Sequence, residues 1–176
     1  AAIPNETALF VSSSRPIRDL EGFAVPRSGV VTYANRGLAG IDGNISTALG
    51  IAHSHKATIA ILGDLSFLYD LTGLIQKEEI NCRFIVINND GGGIFSTLPQ
   101  RGSHGFETVF GTPHGLNPAE IAKSMGISAK QISSIKDLEA EIKAPVSGIS
   151  VVVCDVPDRE SNADNLKGIY QALNSI

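Results

Sequence analysis

IAILGDLSFLYDLTGLIQKEEINCRFIVINNDGGGIF, residues 59–95, is the stretch that decides the fold. Its short apolar runs predict β-strands over residues 57–62 and 82–87, because each is bounded by turn-forming residues. Residues 66–79 between them are long and apolar enough for a crossover helix. The apolar positions expected to face the core from that helix are Leu68, Leu71, Leu74 and Ile75. Parallel strands joined by a helix bring their C-terminal ends to one edge of a sheet, where open α/β sheets bind ligands.

Polar residues follow both strands at that edge. Asp64 comes after the first strand, and Asn89 after the second. A carboxylate, an amide oxygen and a backbone carbonyl are hard ligands that suit Mg²⁺, and Mn²⁺ accepts the same oxygens. We therefore predict that Asp64, Asn89 and the carbonyl of Gly91 hold a divalent cation that carries a diphosphate. The alternative is that these residues form ordinary turns closing two strands.

The remaining segments alternate in the same way. Further strands are predicted at residues 8–11, 30–33 and 149–153, with a short one at 131–132. Residues 16–20 begin a short helical or irregular piece, and helices are predicted from Ile41 onward and at 118–125, 135–142 and 165–172. This alternation predicts one domain, residues 1–176, folded as a three-layer α/β/α sandwich with a mainly parallel, doubly wound sheet. Residues 91–117 hold no long periodic segment, which is typical of a functional or mobile loop.

Gly63-Asp64, a spacer, and Asn88-Asn89 resemble the thiamine diphosphate signature of the decarboxylase and synthase superfamily. In that superfamily the Asp, the second Asn and a carbonyl two residues later bind Mg²⁺, which implies Asp64, Asn89 and Gly91 here. Leu65 stands where most members have Gly, and the spacer is slightly short.

Three further blocks resemble one branch of that superfamily. They are GDLS followed by LYDL (63–71), NRGLAGIDG (35–43) and GGGIFSTLP (91–99). The branch is the menaquinone-pathway synthases that make 2-succinyl-5-enolpyruvyl-6-hydroxy-3-cyclohexene-1-carboxylate. The resemblance implies decarboxylation of 2-oxoglutarate and addition of the resulting succinyl-semialdehyde carbanion to isochorismate.

The resemblance covers only the C-terminal third of such an enzyme. We expect this chain to be a fragment of a longer protein and to be inactive alone. The activating glutamate would belong to the N-terminal domain of a partner subunit in a homodimer or homotetramer, so no catalytic residue is expected here. Rival interpretations are another thiamine diphosphate-dependent decarboxylase or synthase, and a non-catalytic phosphate-binding α/β module.

The resemblance also assigns residues around the cofactor. The implied cofactor contacts are Gly63, Asp64, Leu65, Ser66, Asn89, Gly91, Ile94 and Ile41, the last as an apolar wedge that bends the cofactor. The implied substrate contacts are Ser14, Arg18 and Arg36 for carboxylates, and Phe95 and Leu98, which with Ile94 form an apolar wall. Alternatively, the arginines form local surface ion pairs, Ile41 is a core residue at a helix start, and the apolar trio anchors the loop.

The sequence assigns no functional role to the other histidines and aspartates. His53 and His55 lack a third ligand and favour a solvent-facing helix end over a metal site. His104 and His114 lie in the long loop, and their spacing assigns them no role. Asp42 and Asp70 have no identifiable catalytic partner.

Composition bounds the functional class. A net charge of −4 argues against a nucleic-acid surface. The longest apolar runs, such as 149–154, are too short to span a bilayer, and the first residues lack the features of a signal peptide. Cys82 and Cys154 lie in apolar strands, which predicts buried free thiols in a reducing compartment, so we expect a cytoplasmic protein.

Overall fold

Six parallel strands form one sheet in the computed structural model, which describes residues 2–75 and 78–175. The strands are β1 (Thr7–Val11), β2 (Val30–Tyr33), β3 (Thr58–Gly63), β4 (Cys82–Asn88), β5 (Ser128–Ile132) and β6 (Ile149–Asp155). The helices are α1 (Arg15–Phe23), α2 (Asn44–Ala52), α3 (Asp64–Tyr69), α4 (Pro118–Ser124), α5 (Ile135–Lys143) and α6 (Arg159–Leu173). The spatial order of the strands is β2-β1-β3-β4-β6-β5.

Alternate residues of the strands bury opposite faces of the sheet. Phe10, Phe84 and Val86 pack beneath α2, α3 and α4 on one face. Leu9 and Ile85 pack beneath α1 and α5 on the other. Because both faces are covered, the central strands are almost continuously apolar, as is usual for parallel sheets. The predicted three-layer α/β/α sandwich with a doubly wound sheet is confirmed.

The chain reverses its direction of progress across the sheet between β1 and β3. The connection from β1 leads to β2 on one side, whereas the connection from β3 leads to β4 on the other. Such a reversal leaves a crevice outside the carboxyl ends of the two strands, and ligands of open α/β sheets bind there. Residues 12–14 follow β1 and Asp64 follows β3, so both segments border the crevice.

The helix predicted over residues 66–79 is wrong in its extent. Regular helix α3 ends at Tyr69 and is followed by a 3₁₀ turn, Leu71–Leu74; residues 76 and 77 lie outside the described part of the chain. Phe67 and Leu74 are buried, whereas Ile75 is exposed, so Ile75 does not belong to the core stripe.

Two other predicted helices have different limits. Helix α2 begins at Asn44 rather than Ile41, because Gly43 adopts a left-handed φ of 68° that interrupts a helix. Helix α6 begins at Arg159, six residues before the predicted start at 165. In α5, Ile135 is exposed, and only Leu138 and Ile142 of the predicted apolar face pack against the sheet.

The free thiols of Cys82 and Cys154 are both buried, as predicted. Burial raises the pKa of Cys82 to about 12. Across the described residues, no helix combines the length and apolarity needed to cross a membrane.

Candidate functional site

Asp64 is the point on which the site converges. Its side chain is only 3% exposed, at the junction of β3 and α3. Oδ1 accepts a hydrogen bond from the backbone N–H of Leu65 at 2.7 Å. Oδ2 accepts hydrogen bonds from the backbone N–H of Gly91 at 2.9 Å and of Asn89 at 3.2 Å. The turn that follows β4 therefore wraps around the carboxylate that follows β3, so the two polar strand ends lie together.

The turn itself is tightly packed against the long loop. Asp90 and Gly91 have φ values of 60° and 127°. The N–H of Gly92 donates to the carbonyl of Gly111 at 2.8 Å. A Cβ at Gly91 would collide with that same carbonyl, and a Cβ at Gly92 would collide with the carbonyl of Phe110. Glycine is thus needed here because a second backbone segment lies against the turn.

The side chain of Asp90 connects this turn to the backbone of residues 114 and 115. Its Oδ1 accepts hydrogen bonds from the backbone N–H groups of His114 at 3.0 Å and Gly115 at 2.8 Å. Partial burial acts to raise the pKa of Asp90, but these two donors and the favourable electrostatic interactions with the side chains of His114 and Arg159 outweigh it, and the pKa lies below its usual value.

A cleft of about 570 Å³ opens at the crevice between β1 and β3. It is lined by all the sequence-predicted cofactor and substrate residues except Leu98: Ser14, Arg18, Arg36, Ile41, Gly63, Asp64, Leu65, Ser66, Asn89, Gly91, Ile94 and Phe95. The structure therefore brings these residues, from separate segments of the chain, to one cavity. Leu98 lies outside the lining and is partly exposed.

The β1 side of the cleft carries positive charge. Ser14 has a left-handed φ of 73°, a sparsely populated backbone state that often occurs at binding sites. Arg18 donates to the carbonyl of Ser14 at 2.7 Å. Neither Arg18 nor Arg36 forms an ion pair with a carboxylate within residues 2–75 and 78–175. The alternative of arginines held in local ion pairs therefore has no support in the described part of the chain.

Apolar side chains also line the cleft. Ile41 lies in the loop before α2, where it is 36% exposed and lines the cleft, so it is not the helix-start core residue of the alternative interpretation. Phe95 lines the cleft and packs on Phe110 at 5.4 Å between ring centroids. Phe110 in turn packs on Phe106 at 5.7 Å. Phe95 is thus both a cleft residue and an anchor for the loop.

His114 is a site residue that no sequence pattern indicates. Its Nε2 lies 3.3 Å from Oδ2 of Asp64, and its side chain is 9% exposed. No regular element fixes its position, since the loop of residues 112–117 delivers it. Its spacing from Asp64 therefore carries no signal.

The other histidines lie elsewhere. His53 pairs with Glu78 at 2.9 Å on the surface, and His55 contacts the hydroxyl of Tyr33 at 3.0 Å. Within the described residues, no three His, Cys, Asp or Glu side chains are grouped to hold a metal ion. The predicted cation set differs in kind, since it joins one carboxylate to an amide and a carbonyl.

The fold, the crevice and the polar cleft are typical of α/β domains that bind ligands at the carboxyl edge of the sheet. Residues 22–156 match the family described as "Thiamine pyrophosphate enzyme, C-terminal TPP binding domain". The chain belongs to this family, which confirms the predicted thiamine diphosphate-binding domain.

Individual synthases are similar to this chain over most of its length. The chain is 43% identical over 146 residues to the 2-succinyl-5-enolpyruvyl-6-hydroxy-3-cyclohexene-1-carboxylate synthase of Thermobifida fusca, covering 78% of this chain and 26% of the relative. It is 39% identical over 178 residues to the synthase of the same name from Staphylococcus haemolyticus, covering 99% and 31%. The chain thus spans less than a third of the length of these curated relatives.

The fold has a solved counterpart. An X-ray structure from Mycobacterium smegmatis, of a protein proposed to be a thiamin diphosphate-dependent enzyme, superposes with a TM-score of 0.63. The match is 22% identical and covers 89% of this chain and 30% of that one. It agrees with the fold assignment.

Proposed function

We propose that this chain binds the diphosphate of thiamine diphosphate through a divalent cation, Mg²⁺ or Mn²⁺, held by Asp64, Asn89 and the carbonyl of Gly91. One observation carries the proposal: the turn after β4 closes around the buried carboxylate that follows β3. Sequence-distant oxygen donors thereby lie in one cleft.

The donors present suit such a cation. Oδ1 of Asp64 accepts one described hydrogen bond, from Leu65, and a carboxylate oxygen can accept more. The carbonyl of Gly91 accepts from the N–H of Gly93 at 2.9 Å and keeps a second lone pair. With the side-chain oxygen of Asn89, this is an all-oxygen set, which Mg²⁺ prefers and Mn²⁺ accepts.

The remaining cleft residues suit the rest of the cofactor. Gly63, Leu65 and Ser66 flank Asp64 in the cleft, where a diphosphate would lie, and Ile41 and Ile94 present apolar surface. When bound, thiamine diphosphate supplies a nucleophilic thiazolium carbon that makes decarboxylation of 2-oxo acids possible. This chain's part is to hold the cofactor and shape its surroundings.

We further propose that the whole protein is the synthase that uses 2-oxoglutarate and isochorismate. Both substrates carry carboxylates, which guanidinium groups bind in a bidentate manner. Arg18 and Arg36, with Ser14, supply donors at the cleft, and Phe95 supplies an apolar wall. Leu98 does not line the cleft, so the structure gives less support to its proposed substrate contact. The names of the relatives support this assignment.

Residues 1–176 would form the C-terminal domain of that synthase. Its N-terminal domain, in a partner subunit of a homodimer or homotetramer, would provide the activating glutamate, and the enzyme would work in the cytoplasm. The isolated chain would then show no turnover, and carboligation by the purified chain would contradict this proposal.

Calorimetric titration of the full-length protein with thiamine diphosphate and Mg²⁺ tests the cofactor site. Asp64→Asn should weaken binding by at least about 100-fold, because even residues that only orient metal ligands contribute 10–100-fold. Asp137→Asn, a carboxylate exposed at α5, is the matched control and should bind normally. Equal binding by the unsubstituted protein and Asp64→Asn would favour a non-catalytic module.

The substrates that the full-length enzyme requires test the proposed reaction. Consumption of 2-oxoglutarate by the full-length enzyme should require isochorismate. Consumption of another 2-oxo acid, with no requirement for isochorismate, would indicate a different thiamine diphosphate-dependent enzyme on the same scaffold.

A further inference from the structure

His114 makes three hydrogen bonds near the proposed cation ligand, two of them through its ring. The backbone N–H of Leu116 donates to Nδ1 at 3.0 Å. The backbone N–H of His114 donates to Oδ1 of Asp90 at 3.0 Å, and Nε2 lies 3.3 Å from Oδ2 of Asp64. The ring is thus held from both ends in a nearly buried position.

These contacts determine the tautomer. Nδ1 must present its lone pair to the N–H of Leu116, so the proton of the neutral imidazole resides on Nε2. Nε2–H then donates to Oδ2 of Asp64. Neither nitrogen keeps a free lone pair, so His114 is not itself a metal ligand in this arrangement.

The two oxygens of Asp64 are consequently unequal. Oδ2 accepts from three donors, the N–H groups of Asn89 and Gly91 and Nε2–H of His114. Oδ1 accepts only the N–H of Leu65 among the described contacts. Donors on one oxygen resist rotation of the carboxylate about its Cβ–Cγ bond and leave the other oxygen with capacity for a ligand.

We propose that His114 is a positioning residue that locks the Asp64 carboxylate with Oδ1 available to the cation. The inference rests on the proposed function, since it gives Asp64 a cation to bind. The separate evidence for the role of His114 is the network of hydrogen bonds that joins Asp64, the 89–91 turn and the 114–116 segment. Through this network, the orientation of a strand-end carboxylate depends on a loop 50 residues away in sequence.

The experiment is Mn²⁺ binding to the full-length protein in the presence of thiamine diphosphate, measured by electron paramagnetic resonance. His114→Leu removes the donor, whereas His114→Gln retains an N–H at a similar distance from the backbone. His114→Leu should bind Mn²⁺ about 10- to 100-fold more weakly, and His114→Gln should remain within about threefold of the unsubstituted protein. Thermal unfolding of each variant separates a loss of fold from a loss of orientation.

The outcomes are distinct. Folded His114→Leu protein that binds Mn²⁺ normally or more tightly overturns the role of His114 while leaving the Asp64 site intact. Equal weakening in both folded variants also overturns it, because the donor would then be irrelevant. If His114→Leu does not fold, His114→Gln decides: binding within about threefold supports the role, and a tenfold loss overturns it. Absence of a Mn²⁺ site in the unsubstituted protein, or unchanged binding in Asp64→Asn, overturns the proposed function and this inference together.

Discussion

Replacing Gly91 by Ala tests how closely the 89–91 turn packs on the long loop. The residue has a φ of 127°, which L residues rarely adopt. An added Cβ would collide with the carbonyl of Gly111 and lie 2.9 Å from the carbonyl oxygen of Thr112. Both neighbours are backbone atoms, so a flexible side chain cannot simply move aside. Either the turn or residues 111–112 must shift.

The size of the effect follows from two contributions. Positive φ destabilises an L residue by roughly 1–2 kcal/mol. Inserting a methyl group into a filled space adds roughly 1–3 kcal/mol. Gly91→Ala should therefore lower the free energy of unfolding by roughly 2–5 kcal/mol. Gly102 is the matched control, because its φ is 80° and a Cβ there would meet no atom within 4 Å. Gly102→Ala should show only the conformational part, roughly 1–2 kcal/mol.

Urea unfolding of the two variants measures the difference, and hydrogen exchange locates it. The smaller entropy of alanine in the unfolded chain affects both variants alike, so it cancels in the comparison. Faster exchange at residues 111–116 is expected for Gly91→Ala alone. If both variants lose the same stability, or if exchange in that segment is unchanged, the turn and the loop are not closely packed at Gly91.

Three further predictions concern groups outside the cleft. Asp70→Ala should lower the free energy of unfolding by roughly 1–2 kcal/mol, because the N–H of Ser46 in the first turn of α2 loses its acceptor at 2.8 Å; unchanged urea unfolding would contradict this. The pKa of the Cys82 thiol is near 9.0 in the unfolded chain, and burial raises it to about 12 in the folded protein, so stability should fall with rising pH between these values. The contribution of Cys82 to this slope should approach about 1.4 kcal/mol per pH unit, measured as the difference between the unsubstituted protein and Cys82→Ala in unfolding at several pH values. Arg159→Met removes an ion pair of 2.6 Å with the exposed Glu107, so global stability should change by less than about 1 kcal/mol, whereas hydrogen exchange at residues 107–115 should accelerate.

The sequence predicts the strands well because each buried strand is an apolar run that ends at turn residues. β3 ends at Gly63 and β4 at Asn88, where the chain must leave the sheet. Parallel pairing places both carboxyl ends at the same edge, so the meeting of Asp64 and Asn89 follows from topology alone.

The truncation of α3 shows where local pattern fails. The spacing of leucines after Ser66 suits a long helix, but Asp70 turns away to accept the N–H of Ser46 on α2, at a φ of −122°. Gly73 then packs so closely that a Cβ would meet the side chain of Ser46. These tertiary contacts end the helix, and periodicity cannot reveal them.

His114 was unpredictable for a related reason. Its contact with Asp64 depends on the path of residues 91–117, whose sequence has no long periodic segment. A loop position is set by particular anchors, such as the Phe95–Phe110 contact and the Asp90 carboxylate, rather than by spacing.

The helix that follows the family match completes the support of the site. The match ends at residue 156, and α6 begins at Arg159. Arg159 pairs with Glu107, and Arg101 pairs with both Glu160 and Asp164. Two arginines thus connect the loop to α6: Arg159 extends from the helix, and Arg101 extends from the loop. Because the same loop carries His114, α6 also supports the segment that contacts Asp64.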